Sequence, residues 1–368
     1  MTYRPFNLSR LTLIAVSLLA GTVVGWVPPA QAQPSVLIAN NRAQELDTLF
    51  EQGRQLVEAR NWAGAISVFQ RAATLDDRNA RIFATLGYLY VQQGNFQAAA
   101  ESYQRAARLE SDNADFEYAL AYSLANLGNE AGAIASYRRT LSLNDRHLNA
   151  YLGLGALLTR QNQLDQVLPL YQAALRLQPK SGEIRELIGM LQLRRGLTSD
   201  AINVLRRSIE FEPRRSSAHV GLGMALLLQG DRQGALNAFN QAIRINPNDG
   251  NVHLQIGRVL EETGDIAGAL QSYQRATYIS PNSVDAFLAL GDLAFDQKAM
   301  LQAALAYQEV VRLSPSDARA FFQLGSALRD SDRARDAIDA FRKAQALYQQ
   351  QGRLEEAERA SSALRQLQ

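Results

Sequence analysis

The sequence contains no cysteine and only three histidines (His147, His219 and His253), three lysines (Lys180, Lys298 and Lys343) and two tryptophans. Without cysteine there is no disulfide, no thiolate nucleophile and no thiolate-held zinc or iron–sulfur centre. Three histidines leave almost nothing for imidazole chemistry. No stretch alternates apolar and polar residues as a half-buried strand does. The chain also lacks GxxxxGK[ST], HExxH, GxSxG and any GxGxxG following a strand. Its carboxylates lie on helical patterns, where they ordinarily face water. A non-enzymatic protein is expected, with no catalytic, cofactor-binding or metal-ligating residues, no cofactor and no small-molecule substrate.

What is present is a long, apolar, nearly neutral chain. Its 368 residues are 47% apolar, too apolar for disorder and too long for one compact core, so several domains or a repeat array are expected. Lys+Arg 38 stand against Asp+Glu 36, and the two excess cations, Arg4 and Arg10, precede the apolar run Leu11 to Val27. Without that segment the charges balance, so the field that phosphate binding needs is missing and no nucleic-acid partner is expected.

Arg4 and Arg10, the run LTLIAVSLLAGTVVGWV, Pro28-Pro29 and Ala30-Gln31-Ala32 read as a secretory signal over 1–32 with cleavage after Ala32. No twin-arginine pair is present and no cysteine follows. The plain Sec route to an extracytoplasmic space, a periplasm or equivalent lumen, is expected. The alternative is a retained anchor over 11–27, the one segment through which membrane association is expected. It falls short of the ~20 residues that span a bilayer, and Gly21 and Gly25 weaken it.

The rest of the chain repeats in steps of 34. Gly53, Gly87, Ala121, Gly155, Gly189, Gly223, Gly257, Gly291 and Gly325 share one register position. Twelve residues later come Ala65, Ala99, Ala133, Val167, Ala201, Ala235, Ala269, Ala303 and Ala337. Four further on are Phe69, Tyr103, Tyr137, Tyr171, Leu205, Phe239, Tyr273, Tyr307 and Phe341. Pro179, Pro213, Pro247, Pro281 and Pro315 recur at the same interval. Each unit reads as two amphipathic helices of about 14 residues, with glycine, asparagine or aspartate between them in most units (Gly94-Asn95, Gly128-Asn129, Gly230-Asp231 and Gly264-Asp265), glycine closing the first helix and Asn or Asp capping the second. The small residues let the two backbones approach, the aromatic plugs the gap, and proline ends the second helix.

This pattern resembles the tetratricopeptide repeat family, most fully in Leu222-Gly223, Ala235, Phe239, Ala242 and Pro247. Asp77, Ser111 and Asp145 depart from it where proline is usual, Ala121 where glycine is, and His219 and His253 where tryptophan often stands. The resemblance implies an all-α fold, a right-handed α–α superhelix of nine helix-turn-helix repeats (46–79, 80–113, 114–147, 148–181, 182–215, 216–249, 250–283, 284–317 and 318–351). A leader over 33–45 precedes it and a capping helix over 352–368 closes it.

In the family, the stripe six and three residues before the register glycine and one, four and five after it lines a concave groove that grips peptides or partner helices. Mapped here, that stripe offers two candidate sites. Tyr88, Tyr118 and Tyr122 with Met190, Met224 and Leu227 would form an apolar trough for aliphatic or aromatic anchors. Glu261, Glu262, Asp285, Asp292 and Asp296 would form an acidic patch for a basic segment, with Arg258 partly offsetting it and Phe295 beside it. The lysine/asparagine clamp of the chaperone-tail-binding subclass is absent. His219 and His253, at equivalent places, are expected to pack rather than to hold a metal. An exported bacterial scaffold, binding protein partners in the assembly or maintenance of envelope or membrane complexes, is the expected function.

Overall fold

The computed structural model describes residues 34–367, with side chains from residue 41 onward. The expected signal over 1–32, its cleavage after Ala32 and the alternative anchor over 11–27 lie outside the described residues. Among the described residues there are nineteen helices and no strand. They fall into two compact units, Met1–Pro179 and Lys180–Gln368.

Unit 1 holds four helix pairs: α1 (Pro34–Glu58) with α2 (Trp62–Leu75), α3 (Ala80–Gln92) with α4 (Phe96–Leu109), α5 (Ala114–Leu127) with α6 (Glu130–Leu143), and α7 (Leu148–Arg160) with α8 (Leu164–Leu177). Unit 2 holds five pairs: α9 (Gly182–Arg194) with α10 (Thr198–Phe211), α11 (Ser216–Gln229) with α12 (Arg232–Ile245), α13 (Gly250–Glu262) with α14 (Ile266–Ile279), α15 (Val284–Asp296) with α16 (Met300–Leu313), and α17 (Ala318–Arg329) with α18 (Ala334–Gln350). The last helix, α19 (Leu354–Arg365), lies against α18. The fold is thus all-α, nine helix-turn-helix repeats and a C-terminal capping helix. The leader is helical from Pro34 and continuous with the first repeat.

Each pair is locked by one aromatic or leucine from its second helix, and none of these nine side chains exposes more than 4% of its surface. Burying a side chain of that size contributes about 2–3 kcal/mol. The register glycine is the seat of that ring. A Cβ on Gly155 would lie 2.3 Å from Tyr171, and one on Gly257 2.4 Å from Tyr273. Ala121 carries such a Cβ, and the Tyr137 ring of that repeat rests against Gly153 of the next first helix, 2.6 Å from where a Cβ would stand. The missing glycine is supplied one repeat later.

Between the helices of every pair one residue has positive φ. Glycine supplies it at 94, 128, 196, 230 and 264, but Arg60, Asn162, Lys298 and Asp332 adopt it too, with φ of 55° to 61°. The next residue caps the second helix. Asn61, Asn95, Asn129, Asp231 and Asp265 accept from the backbone three residues on, whereas Gln163, Leu197, Ala299 and Arg333 make no such bond.

Proline is not what stops the second helices. They end at Leu75, Leu109 and Leu143, where Asp77, Ser111 and Asp145 stand in for it, in the same register as before Pro179. Arg105 and Arg139 reach 28 residues back and donate to the Asp77 and Ser111 carbonyls at 3.1 and 3.2 Å. At the far end α19 covers Leu347 and Tyr348 with Ala357 and Ala360. Its outer side carries the ion pairs Arg353–Glu356 and Arg365–Glu358.

Candidate functional site

The open stripe of the first helices differs between the units. In unit 1 the expected trough is corrected. Tyr88, Tyr118 and Tyr122 expose only 5%, 8% and 8% of their surface, because their rings turn between helices instead of standing on the face. Tyr118 lies 4.5 Å from the His147 ring and 6.0 Å from that of Tyr137, and Tyr122 meets Phe96 edge-on at 6.4 Å. These tyrosines are core. The other trough residues, Met190, Met224 and Leu227, all belong to unit 2.

In unit 2 the position of Tyr88 and Tyr122 is open in every repeat, while Leu254, at the place of Tyr118, is buried. Met190 and Leu227 are half-buried, Met224 is 37% exposed, and Leu228 beside it is 68% exposed. Leu227 packs its inner side on the core that Leu226 and Phe239 share, so the shelf on α11 is held from below.

The acids of α13 and α15 are not equivalent to one another. Tyr273 and Tyr307 lay their rings against Gly257 and Gly291, and their hydroxyls reach acids of the same first helix. Tyr273 donates to Glu261 Oε2 at 2.5 Å and Tyr307 to Asp292 Oδ1 at 2.7 Å. Burial first, and the carboxylate second, push both phenols well above their ordinary range, so both remain donors. Gln323 Nε2 on α17 donates to the same Asp292 oxygen at 2.7 Å. Glu262 pairs with Arg232 at 3.1 Å on the surface. Asp285, Asp296 and Arg258 are exposed.

Asp292, Phe295, Asp296 and Tyr307 join Arg319, Phe322, Gln323 and Ser326 around a pocket of about 500 Å³ between α15 and α17. Arg319 and Phe322 continue the open stripe into the ninth repeat, six and three residues before Gly325, so extending the same spacing by one repeat finds them. Gln323 and Tyr307 lie off the stripe, and only the folded geometry brings them in.

His219 and His253 act as braces. Each ring Nε2 meets the carbonyl six residues back, Pro213 at 3.0 Å and Pro247 at 3.3 Å. In unit 1 the Tyr151 hydroxyl donates to the Asp145 carbonyl in the same way at 3.0 Å. Burial lowers the His253 pKa from its ordinary value. No group of three His, Cys, Asp or Glu among the described residues could hold a metal ion, and no helix among them is long and apolar enough to cross a membrane.

A second ionic cluster ties α9 to the turn before α11. Glu212 accepts from the Gly182 N–H at 2.6 Å, and Arg215 reaches Glu212 at 2.6 Å, Glu186 at 3.3 Å and Glu183 at 3.8 Å. Burial raises the Glu186 carboxyl above its ordinary range. Glu183 and Glu186 thus spend their charge within the fold.

Comparison with known proteins agrees with this architecture. A tetratricopeptide repeat model matches residues 50–114, 84–145, 118–182, 152–215, 186–250 and 288–352, and a second one matches 226–293. The chain belongs to the tetratricopeptide repeat family. Over 61 residues it is 43% identical to a TPR repeat-containing protein of Picosynechococcus sp., a stretch that is 17% of this chain and 15% of that protein. Among solved structures, a tetratricopeptide repeat protein from Parabacteroides merdae matches 68% of this chain and 99% of its own at 19% identity, with a TM-score of 0.54. The Pseudomonas aeruginosa pilF structure matches 59% of this chain and 97% of its own at 18% identity, with a TM-score of 0.50. These two likenesses are likenesses of fold.

Proposed function

We propose that the protein is a non-enzymatic scaffold that holds an extended segment or helix of a protein partner on the open face of the first helices in unit 2. The observation that carries this reading is the apolar shelf of Met224, Leu227 and Leu228, left open where Tyr88 and Tyr122 of unit 1 are buried at the Met224 position. Apolar side chains held from below and open above gain from being covered, at roughly 25 cal/mol per Å² of apolar surface removed from water. Membership of a repeat family built to stack helices and present one long face supports the same reading.

The test compares two pairs of charge substitutions. Met224→Asp with Leu228→Asp should abolish capture of partners from the host's extracytoplasmic fraction. Leu301→Asp with Leu305→Asp, exposed on the second helix α16, should leave it intact. Equal capture by both pairs would remove the shelf as the binding surface.

The sequence of residues 1–32 supports export by the Sec route, and a place in the assembly or maintenance of envelope or membrane complexes fits an exported scaffold. The second reading keeps 11–27 as an anchor, since its apolar run is uninterrupted by charge. N-terminal sequencing of the protein from its host separates them: a start at Gln33 means release, and a start at or near Met1 means tethering.

A further inference from the structure

We propose that the pocket between α15 and α17 is a subsite for an arginine side chain of the bound partner. This deepens the scaffold reading above and rests on it. The pocket stands on the same open stripe as the Met224 shelf, within the same unit, and is a half-open cleft of about 500 Å³, room for a guanidinium, its aliphatic stem and adjoining backbone.

Charge selects a single cation. Asp292 and Asp296 contribute two negative charges and Arg319 one positive. Arg319 is exposed and forms no ion pair among the described residues, so the two carboxylates are not neutralised from within. One negative charge is left in excess.

The Asp292 carboxylate is aimed. Its Oδ1 already receives the Tyr307 hydroxyl and the Gln323 amide, both at 2.7 Å, and Tyr307 itself is 1% exposed. Two donors from different helices fix the carboxylate plane. Oδ2 has no hydrogen bond among the described residues and is the free acceptor. Asp296, one helical turn on and exposed, stands where a second N–H of a fork could reach.

The walls favour arginine over lysine. Phe295 packs on the core below it, and Phe322 is held edge-on against Phe341 at 5.3 Å, so both rings are fixed surfaces. A planar guanidinium stacks on such faces and stays charged, whereas a compact ammonium is more strongly hydrated and gains less. An extended partner would lay its arginine here and an aliphatic residue on the α11 shelf.

The test is a positional peptide array probed with the full chain, each position carried as arginine, citrulline, lysine or norleucine. Arginine should be selected at one position at least tenfold over citrulline, which keeps the shape and loses the charge, with lysine between them. Asp296→Asn, at an exposed site, and Asp292→Asn should each remove that selection, and Arg319→Gln should strengthen it severalfold. Circular dichroism and thermal unfolding check that the variants stay folded. The Asp296 and Arg319 side chains are exposed, so these two variants carry the test even if Asp292→Asn disturbs Tyr307. Peptides captured through the shelf, and lost with Met224→Asp, but with no preference for arginine over citrulline, would overturn the arginine subsite and leave the scaffold reading standing. Weakened selection in Arg319→Gln would also overturn it. Capture of no peptide at all would overturn both.

Discussion

Units 1 and 2 are built in one register, yet the second and third repeats of unit 1 bury a position of the first helix that every repeat of unit 2 leaves open. One position after the register residue, unit 1 places Arg54, Tyr88, Tyr122 and Ala156; the two tyrosines are buried, whereas Arg54 is exposed and Ala156 half-buried. Unit 2 places Met190, Met224, Arg258, Asp292 and Ser326 there, all half-buried or exposed. A phenol ring at this position is large enough to fill the space between neighbouring helices and close the stripe over itself. Methionine, aspartate and serine are too thin or too polar to do so. The same backbone lattice is therefore closed by tyrosine in the second and third repeats and left open throughout unit 2, and side-chain volume, not helix geometry, decides where the position closes.

Truncation at the shared position is the hardest test of that contrast. Tyr122→Ala should cost unit 1 about 3 kcal/mol, as for other buried aromatics, whereas Met224→Ala, at a site more than a third exposed, should cost unit 2 less than about 1 kcal/mol. A stacked array need not unfold in one step, so amide exchange in α5 and in α11 is the suitable readout. Equal losses of protection would break the comparison.

The seat of the second-helix ring should be alike in both units. A Cβ at Gly155 or Gly257 would overlap Tyr171 or Tyr273 by more than an ångström relative to ordinary contact, so each alanine variant is expected to lose about 1–3 kcal/mol by overpacking. Replacing Gly153 should cost a similar amount, since it seats Tyr137 in place of position 121. If Gly153→Ala proves neutral in thermal unfolding, the relocated seat is wrong.

The 34-residue step made the helix pairs, the ring seats and the stripe legible in the sequence. It did not reveal which stripe residues stay open. Tyr122 and Met224 look interchangeable as apolar residues at one spacing, and their burial depends on the volume that the neighbouring helices leave. Nor could the pattern show that Asp292 is held by Tyr307 and Gln323, because the phenol arrives through the glycine gap from another helix. Lys298 gave no local sign of positive φ, yet counting 34 from Gly264 marks the place.

His253 should give unit 2 a pH dependence of its own. The folded pKa of His253 is depressed, first by burial and then by Arg275, while the Pro247 carbonyl and Asp249 work the other way. The unfolded chain then binds more protons near pH 6, so the contribution of this ring is complete above its ordinary value of 6.5 and is lost as pH falls through the folded value. Melting temperature should drop from pH 7.5 to pH 5.5, and less so in His253→Phe, which borrows the ring found at Phe287 and Phe321. Unit 1 carries Tyr151 at this position, so Tyr151→Phe should leave the pH profile as it is. An unchanged profile in His253→Phe would show that the ring is not the titrating group.

The smallest effect separates the two units at their inner turns. Asn162 in unit 1 and Lys298 in unit 2 occupy the positive-φ position at 58° and 61°, which glycine fills in most repeats. Asparagine tolerates this conformation through its short polar side chain, while lysine bears the full clash of its Cβ with the following carbonyl. Glycine also loses more backbone freedom on folding, which offsets part of the relief. Lys298→Gly should therefore stabilise α15–α16 by about 0.5–1 kcal/mol, and Asn162→Gly should change α7–α8 by only a few tenths of that scale. Amide exchange at the two turns reads both. A gain at Asn162 that equals the gain at Lys298 would mean that strain at these turns is set by the backbone lattice alone, and that the side chain there is indifferent.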